Sequence, residues 1–437
     1  MKMKHVFWIL IILFSSESLF AKKIRPSKIL KMIRQSDVLN AHFTGFALYD
    51  LDNRRMIAGL NSDKHFTPAS NAKLFTFYAG LKLLKDSIAG MNYKEQGDSL
   101  IIWGTGDPSF LNTDFGSQPV LTKLNNSGKK IYWASGRFTG DFYGVGWTYD
   151  DYNEYYQPEM SELPVYGNIV QFSNKNEGLL ARPSLDYPGF RLSTDSIPAS
   201  GRFRIRRDIM TNEFFKPNGD IPSRFSQVVP FKVNSKLVSD LLERNITGYA
   251  GSISMKVPSD VKTWNSISSD TLYKRMLLPS DNFIAEQILL NIAATRGMEM
   301  KTSAVIDYIL KNHLSDLPDK VLWVDGSGLS RQNLFTPRSM IKLCEKIYDE
   351  VGNENRLFDL LPQGGKSGTL RNQYKSEKPF VFAKTGSLSN NHNLTGYLIT
   401  GKGRKLIFSF MNNNFTVPAV DVRAQMEKVI TRIHRDY

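Results

Sequence analysis

The chain has 437 residues, 41% of them hydrophobic and 22% charged, an ordinary globular composition and more length than one compact core needs, so about two or three domains are expected. A single cysteine excludes a disulfide framework, and no second apolar stretch follows the N-terminal one to form a multi-spanning membrane protein. The net charge of +14 favours anionic partners, such as cell-wall polymers or membrane surfaces, and by itself also fits nucleic acid.

The N-terminus carries Lys2, Lys4 and His5, then an apolar run from Val6 to Phe14, then Ser18-Leu19-Phe20-Ala21. This is the layout of a secretory signal peptide over residues 1–21, cleaved after Ala21, and the run is shorter than the roughly 20 residues a membrane-spanning helix requires. An uncleaved anchor is the alternative. No Cys follows the run to take a lipid. The mature chain is therefore expected to be exported and soluble in the periplasm or cell envelope, still strongly basic, and nucleic acid is not an expected partner.

Phe46-Ala47-Leu48-Tyr49 and Met56-Ile57-Ala58 flank Asp52-Asn53 and predict a hairpin. After Thr67-Pro68-Ala69, the spacing of Leu74, Phe77, Tyr78, Leu81 and Leu84 predicts a helix starting near Ser70. From 88 to 264 the chain turns to short strand-like pieces separated by Gly, Pro, Asn and Asp, a β-rich inserted region with a possible nested subdomain at about 165–235. Helical texture returns over Leu272–Ala294 and Thr302–Leu314, and Met340, Ile341, Leu343, Cys344 and Ile347 place the cysteine on a buried helix face. Pro379–Ala383, Leu394–Ile399 and Leu406–Phe410 read as consecutive antiparallel strands, and Ala419–His434 as a closing helix. Joined to the early hairpin, they predict an α/β fold of the α+β kind: a sheet of about five antiparallel strands flanked by helices. Residues 22–87 and 265–437 would form this discontinuous unit around the 88–264 insert.

Ser-x-x-Lys occurs four times, at Ser70/Lys73, Ser127/Lys130, Ser259/Lys262 and Ser339/Lys342. Three-residue spacing on a helix brings both side chains to one face, and Ser70/Lys73 alone opens a strongly apolar helix. There the helix dipole and burial both oppose a charged Lys73, which would then accept the Ser70 proton and activate it as a nucleophile. The other three read as turn, loop and helix-cap residues. Ser280-Asp281-Asn282, after Pro279 and before a helical run, offers a proton relay and a substrate-amide contact, or simply a cap. Lys384-Thr385-Gly386-Ser387 follows Phe380–Ala383 and suits the end of an edge strand, where Lys and Thr can receive a carboxylate and a backbone N–H can enter an oxyanion hole. The near-copy Lys366-Ser367-Gly368-Thr369 has no strand before it and reads as a loop. His5, His42, His65, His313, His392 and His434 have no ligand spacing and no phosphate-cradling loop is present, so neither metal nor cofactor is expected.

Ser-x-x-Lys, Ser-Asp-Asn and Lys-Thr-Gly in this order resemble the penicillin-recognising serine acyl-transferase superfamily, whose fold is the serine transpeptidase/β-lactamase type. The long stretch between Lys73 and Ser280, with Gly104-Thr105-Gly106-Asp107-Pro108, Gly146–Asp151 and Asp325–Arg331, narrows the resemblance to the D-alanyl-D-alanine carboxypeptidase/endopeptidases of low-molecular-mass class C, the penicillin-binding protein 4 type. The resemblance implies hydrolysis of D-Ala-D-Ala peptides of peptidoglycan stems and covalent inhibition by β-lactams. It assigns the acyl-enzyme to Ser70, the base to Lys73, proton transfer to Ser280, substrate-amide binding to Asn282, the carboxylate to Lys384 and Thr385, and the oxyanion hole to N–H groups of Ser70 and Ser387. It places Asp151 and Tyr156 of the insert beside the substrate side chain, bordered by Leu329, Arg331 and Leu388. A turn cap for Asp151, core packing for Tyr156 and a structural pairing for Arg331 are the alternatives. A β-lactamase-like hydrolase is less consistent with the chain, which has no Glu-x-x-Leu-Asn element. A catalytically silent wall-binding protein would not need the retained motif residues.

Overall fold

A computed structural model describes residues 24–174, 178–198 and 202–437, so the expected leader at 1–21 lies outside the described residues. Among them no helix is long and apolar enough to cross a membrane. The early hairpin and the three late strands join in one antiparallel sheet, ordered Val381–Leu388, Asn391–Ile399, Lys405–Asn413, Phe43–Asp50, Arg55–Leu60. Sequence-distant segments meet in register, with Phe46 opposite Phe410.

Alternation along the strands explains why helices cover both faces. Phe46, Leu48, Leu394, Leu398, Phe408 and Phe410 pack with Ile29 and Ile33 of the Pro26–Arg34 helix and Val422, Met426 and Ile430 of the Ala419–Asp436 helix. The intervening Ala47, Tyr49, Tyr397, Ile407 and Met411 pack on the other side, with Phe75 and Phe77 of the Lys73–Leu83 helix and Leu343 and Ile347 of the Pro337–Val351 helix. Cys344 is fully buried there, and burial pushes its thiol far above the ordinary range, which leaves it inert.

Two elements depart from the expected boundaries. The helical texture over Leu272–Ala294 is divided into Ser269–Leu277 and Asn282–Thr295. Pro279 cannot continue the first helix, Ser280 turns the chain at φ +68°, and Asp281 Oδ1 caps the second by accepting the Ile284 N–H at 2.9 Å. The strand expected to stop at Ala383 runs on to Leu388, so Lys384-Thr385-Gly386-Ser387 lies inside it. Its apolar signal ends at Ala383, but pairing with Asn391–Thr395 carries the backbone onward.

A second five-stranded sheet is ordered Tyr249–Ile253, Lys130–Ala134, Ser99–Trp103, Ser87–Gln96, Lys262–Ser268. Two three-stranded sheets are built from strands between Ile169 and Pro230. The Asn282–Thr295 helix ties this region to the first sheet's helices. It is buried from Asn282 to Ala294, as a helix inside a large protein must be, and its few polar groups are spent on docking. Gln287 Nε2 donates to the carbonyls of Gly106 and Ser161, both at 2.9 Å, and Asn291 Nδ2 to those of Ala89 (2.8 Å) and Thr105 (3.0 Å).

Candidate active site

Ser70 sits on a short 3-10 turn, Ala69–Ala72, that feeds the Lys73–Leu83 helix. The turn is held in an unusual conformation, with Ala69 at φ +48°, a region costly for a residue with a β-carbon. Ser70 is half-buried at the wall of a cleft of about 760 Å³.

Lys73 is fully buried beneath it. Its Nζ lies 3.0 Å from Ser70 Oγ, 2.6 Å from Asn282 Oδ1 and 2.7 Å from the Ser327 carbonyl oxygen. Burial brings its pKa down to about 8, against the pull of Asp325, Asp281 and Glu286, which favour the cation. A neutral amine has two N–H donors and one lone pair. Asn282 Oδ1 and the Ser327 carbonyl use the two donors, and the lone pair is left for the Ser70 hydroxyl.

Across the cleft, Lys384 is also fully buried, and its Nζ donates to Ser280 Oγ and to the Thr385 carbonyl, both at 2.8 Å. Burial, then the charge of Lys73, holds its pKa well below the usual lysine range. Gly386, two residues on and on the same face of the strand, packs against the Ser70 turn. A β-carbon there would stand 2.3 Å from the Pro68 carbonyl oxygen and 3.0 Å from the Ser70 nitrogen. The strand lies at the sheet edge, and Ala383 N–H donates outward to Pro362 O at 3.0 Å. Alternation puts the Thr385 and Ser387 N–H groups on that same open edge, facing the cleft. Ser387 Oγ is 2.8 Å from Nδ1 of His392, whose pKa burial lowers to about 4, keeping the ring neutral.

The insert contributes the opposite wall. Asp151 lies in the 3-10 turn Tyr149–Asn153, and the Tyr156 phenol hydrogen-bonds to it, which together with the larger effect of burial raises the phenol's pKa. Asn282 Nδ2 donates to the Tyr156 carbonyl at 3.1 Å, so one amide touches both the base and the insert. Arg331 donates to the Ser389 carbonyl at 3.1 Å, just past the edge strand. Ser70, Asp151, Tyr156, Ser280, Asn282, Leu329, Arg331, Thr385, Ser387 and Leu388 thus border one cleft. Lys73 and Lys384 support it from below.

The other Ser-x-x-Lys pairs are elsewhere. Lys130 and Lys262 begin strands, and Lys342 pairs with Glu345 at 2.8 Å. The expected helix cap at Ser339 belongs instead to Thr336, whose Oγ1 accepts the Ser339 N–H at 3.2 Å. Thr369, in the loop set aside as a near-copy, reaches the cleft and bonds Thr385 Oγ1 through its own hydroxyl at 2.7 Å. No local signal separates it from a surface loop residue. Glu286 and Asp325 are also buried near Lys73, and a Glu one turn beyond Asn282 in a mostly apolar helix is a readable signal in the sequence.

Replacing Gly386 with Ala is expected to slow acylation of Ser70 by about a hundredfold, because the strand must retreat from the turn and a displacement near 1 Å is enough for that loss. The rate of covalent modification of Ser70 by an acylating reagent, with circular dichroism as a check on folding, measures it.

The sequence profile of the D-Ala-D-Ala carboxypeptidase 3 (S13) family matches residues 26–433. The chain is similar to the penicillin-sensitive carboxypeptidase A of Dictyostelium discoideum, 24% identical over 455 positions that cover 86% of this chain and 83% of that protein. It is 23% identical to the D-alanyl-D-alanine carboxypeptidase DacB of Haemophilus influenzae, over 88% of each. Among solved structures, penicillin binding protein 4 of Haemophilus influenzae superposes with a TM-score of 0.70 at 20% identity, covering 94% of this chain and 98% of that one. The same protein in complex with a β-lactam gives 0.67 at 18% identity, covering 94% and 100%. At such identities the superpositions show the fold.

Proposed function

We infer how the cleft works from one premise: the chain belongs to the D-Ala-D-Ala carboxypeptidase 3 (S13) family, and it is a serine-type D-Ala-D-Ala carboxypeptidase. Ser70 Oγ attacks the carbonyl carbon of the penultimate D-Ala while Lys73 Nζ takes its proton. The oxyanion that forms accepts hydrogen bonds from the backbone N–H groups of Ser70 and Ser387. On collapse the C–N bond breaks, and the proton that Lys73 took passes through Ser280, which Lys384 holds in place, to the departing D-Ala amine. Lys384 and Thr385 receive the terminal carboxylate. Water, giving its proton to Lys73, then attacks the acyl carbonyl; the bond to Ser70 Oγ breaks, the shortened peptide leaves as its carboxylate, and the proton returns to Ser70.

Asn282 has a second N–H and a second lone pair beyond those spent on Tyr156 and Lys73, enough to orient the substrate amide. Asp151 and Tyr156, with Leu329, Arg331 and Leu388 around them, receive the side chain of the stem peptide. In this reading residues 22–87 and 265–437 form the catalytic unit, and the insert at 88–264 supplies one wall of its cleft. Residues 1–21 direct export to the periplasm or cell envelope, and the net charge of +14 favours association with anionic wall or membrane surfaces. The observation that carries the mechanism is the placement of Lys73 Nζ between two fixed acceptors and the Ser70 hydroxyl.

Penicillin presents a carbonyl and a carboxylate at similar positions, so it should acylate Ser70 and leave slowly. Incubation with fluorescent penicillin followed by peptide mapping is expected to give a persistent label on Ser70. A folded protein that takes no label, or carries it on another residue, contradicts the reading. Parallel assays of D-Ala release and of cross-linked muropeptide cleavage then apportion carboxypeptidase and endopeptidase action.

A further inference from the structure

Glu286 lies one turn beyond Asn282 on the Asn282–Thr295 helix, so the two side chains share a face. It is fully buried and makes two short contacts with the loop that carries Ser327. Its Oε2 accepts the Gly326 N–H at 2.9 Å, and its Oε1 accepts the Ser327 N–H at 2.7 Å. From the Lys73 helix, Thr76 Oγ1 donates to the Gly326 carbonyl at 2.6 Å, so that peptide is gripped from both sides. The next carbonyl, that of Ser327, is the one Lys73 Nζ reaches. One face of one helix thereby supplies both acceptors of the Lys73 amine: Asn282 directly, and Ser327 through Glu286.

Asp325 cannot substitute for Glu286. It is buried and already accepts from Gly328 N, Ser330 N, Asn333 Nδ2 and Trp147 Nε1, which hold the loop beyond Ser327. The N–H groups of Gly326 and Ser327 depend on Glu286 alone for a carboxylate partner.

We propose that Glu286 is the positioning residue of the base: by holding the Gly326 and Ser327 N–H groups it aims the Ser327 carbonyl at the Lys73 amine. The proposal rests on Lys73 acting as base. The charged groups around this centre are Lys73 on its helix, Asp325 on the loop, Asp281 at the cap of the same helix as Glu286, and Lys384 on the edge strand. Asp281 and Asp325 favour protonated Lys73, whereas burial and the Asp325 charge raise the pKa of the Glu286 carboxyl itself to about 8. Its anion, present as pH nears and passes that value, adds to the first effect. Its removal should free the amine at lower pH.

The test is the pH profile of penicillin acylation in folded variants. Glu286→Gln removes the charge and leaves one acceptor oxygen for two N–H groups. The acid limb is expected to move down by less than about one pH unit, because wild-type Glu286 is only partly ionised there. The high-pH plateau should fall roughly tenfold, the equivalent of one lost buried hydrogen bond. Glu286→Asp keeps the charge but is shorter by one methylene, so the limb should stay while the plateau falls. A purely structural role would lower stability and plateau without moving the limb, and an unmoved limb in Glu286→Gln overturns the proposal. Should that variant not fold, a wild-type plateau in Glu286→Asp overturns it instead. A wild type with no acid limb would overturn the base reading and this proposal together, whereas a limb present in the wild type and unmoved by Gln overturns only the latter.

Discussion

Ser70→Ala is expected to abolish covalent labelling by penicillin and to lower D-Ala release by about four to six orders of magnitude. The site contains a second serine beside a buried lysine, since Ser280 Oγ is 2.8 Å from Lys384 Nζ. The two pairs are not equivalent. Ser70 belongs to the turn against which Gly386 packs, and in the proposed mechanism the Ser70 and Ser387 N–H groups receive the oxygen of a carbon bonded to Ser70 Oγ. Ser280 is held at φ +68° before a capped helix, with Lys384 donating both to it and to the Thr385 carbonyl. Lys384 is thereby oriented as a donor to its serine, while Lys73 is left with a lone pair toward its own. Ser280→Ala should accordingly slow labelling and leave it on Ser70. Retained labelling in folded Ser70→Ala, measured by fluorescence in a denaturing gel, would sink the assignment.

The second large effect concerns Lys73. Burial lowers its pKa to about 8, so the free amine, the form able to take a proton from Ser70, predominates above that pH. Acylation should rise about tenfold per pH unit below that value and level off above it. Lys73→Met fills much of the same volume without a basic nitrogen and should lower the plateau by about two to four orders of magnitude, removing the limb as well. The same shift acts on stability. A lysine whose pKa is depressed on folding binds more protons when unfolded, so its contribution to stability grows from pH about 8 up toward the ordinary lysine value and is lost as pH falls. Stopped-flow acylation across this range checks the first claim, and denaturant titration at the same pH values checks the second. An acylation rate independent of pH contradicts the base role.

Much of the fold was legible because its signals are local. The near-continuous apolar runs of Phe46–Tyr49 and Leu406–Phe410 mark strands covered on both faces, and the spacing of Leu74, Phe77 and Tyr78 marks the helix beneath Ser70. Element ends were harder to place. The edge strand continues through Lys384, Thr385, Gly386 and Ser387 because a partner strand pairs with it, and pairing is not encoded in the apolarity of the paired residues. The helix cap likewise fell at Thr336, because Pro337 suits the first helical position and leaves the preceding residue to cap it.

The sequence by itself determined the kinds of chemistry present: a serine three residues before a lysine on one helix, a Ser-Asp-Asn turn before another, and a Lys-Thr-Gly stretch on a late strand, in an order that pointed to one family. Only the tertiary structure decided how those groups serve one another. Lys73 is fully buried, its amine is bracketed by Asn282 and Ser327, Gly386 presses on the nucleophile's turn, and Thr369 and Glu286 join the site. The physical reason is the range of the interactions involved. Helix and strand patterns repeat over a few residues and are written in adjacent side chains, whereas burial, hydrogen-bond partners and the pKa of a lysine depend on groups brought together from distant parts of the chain by packing.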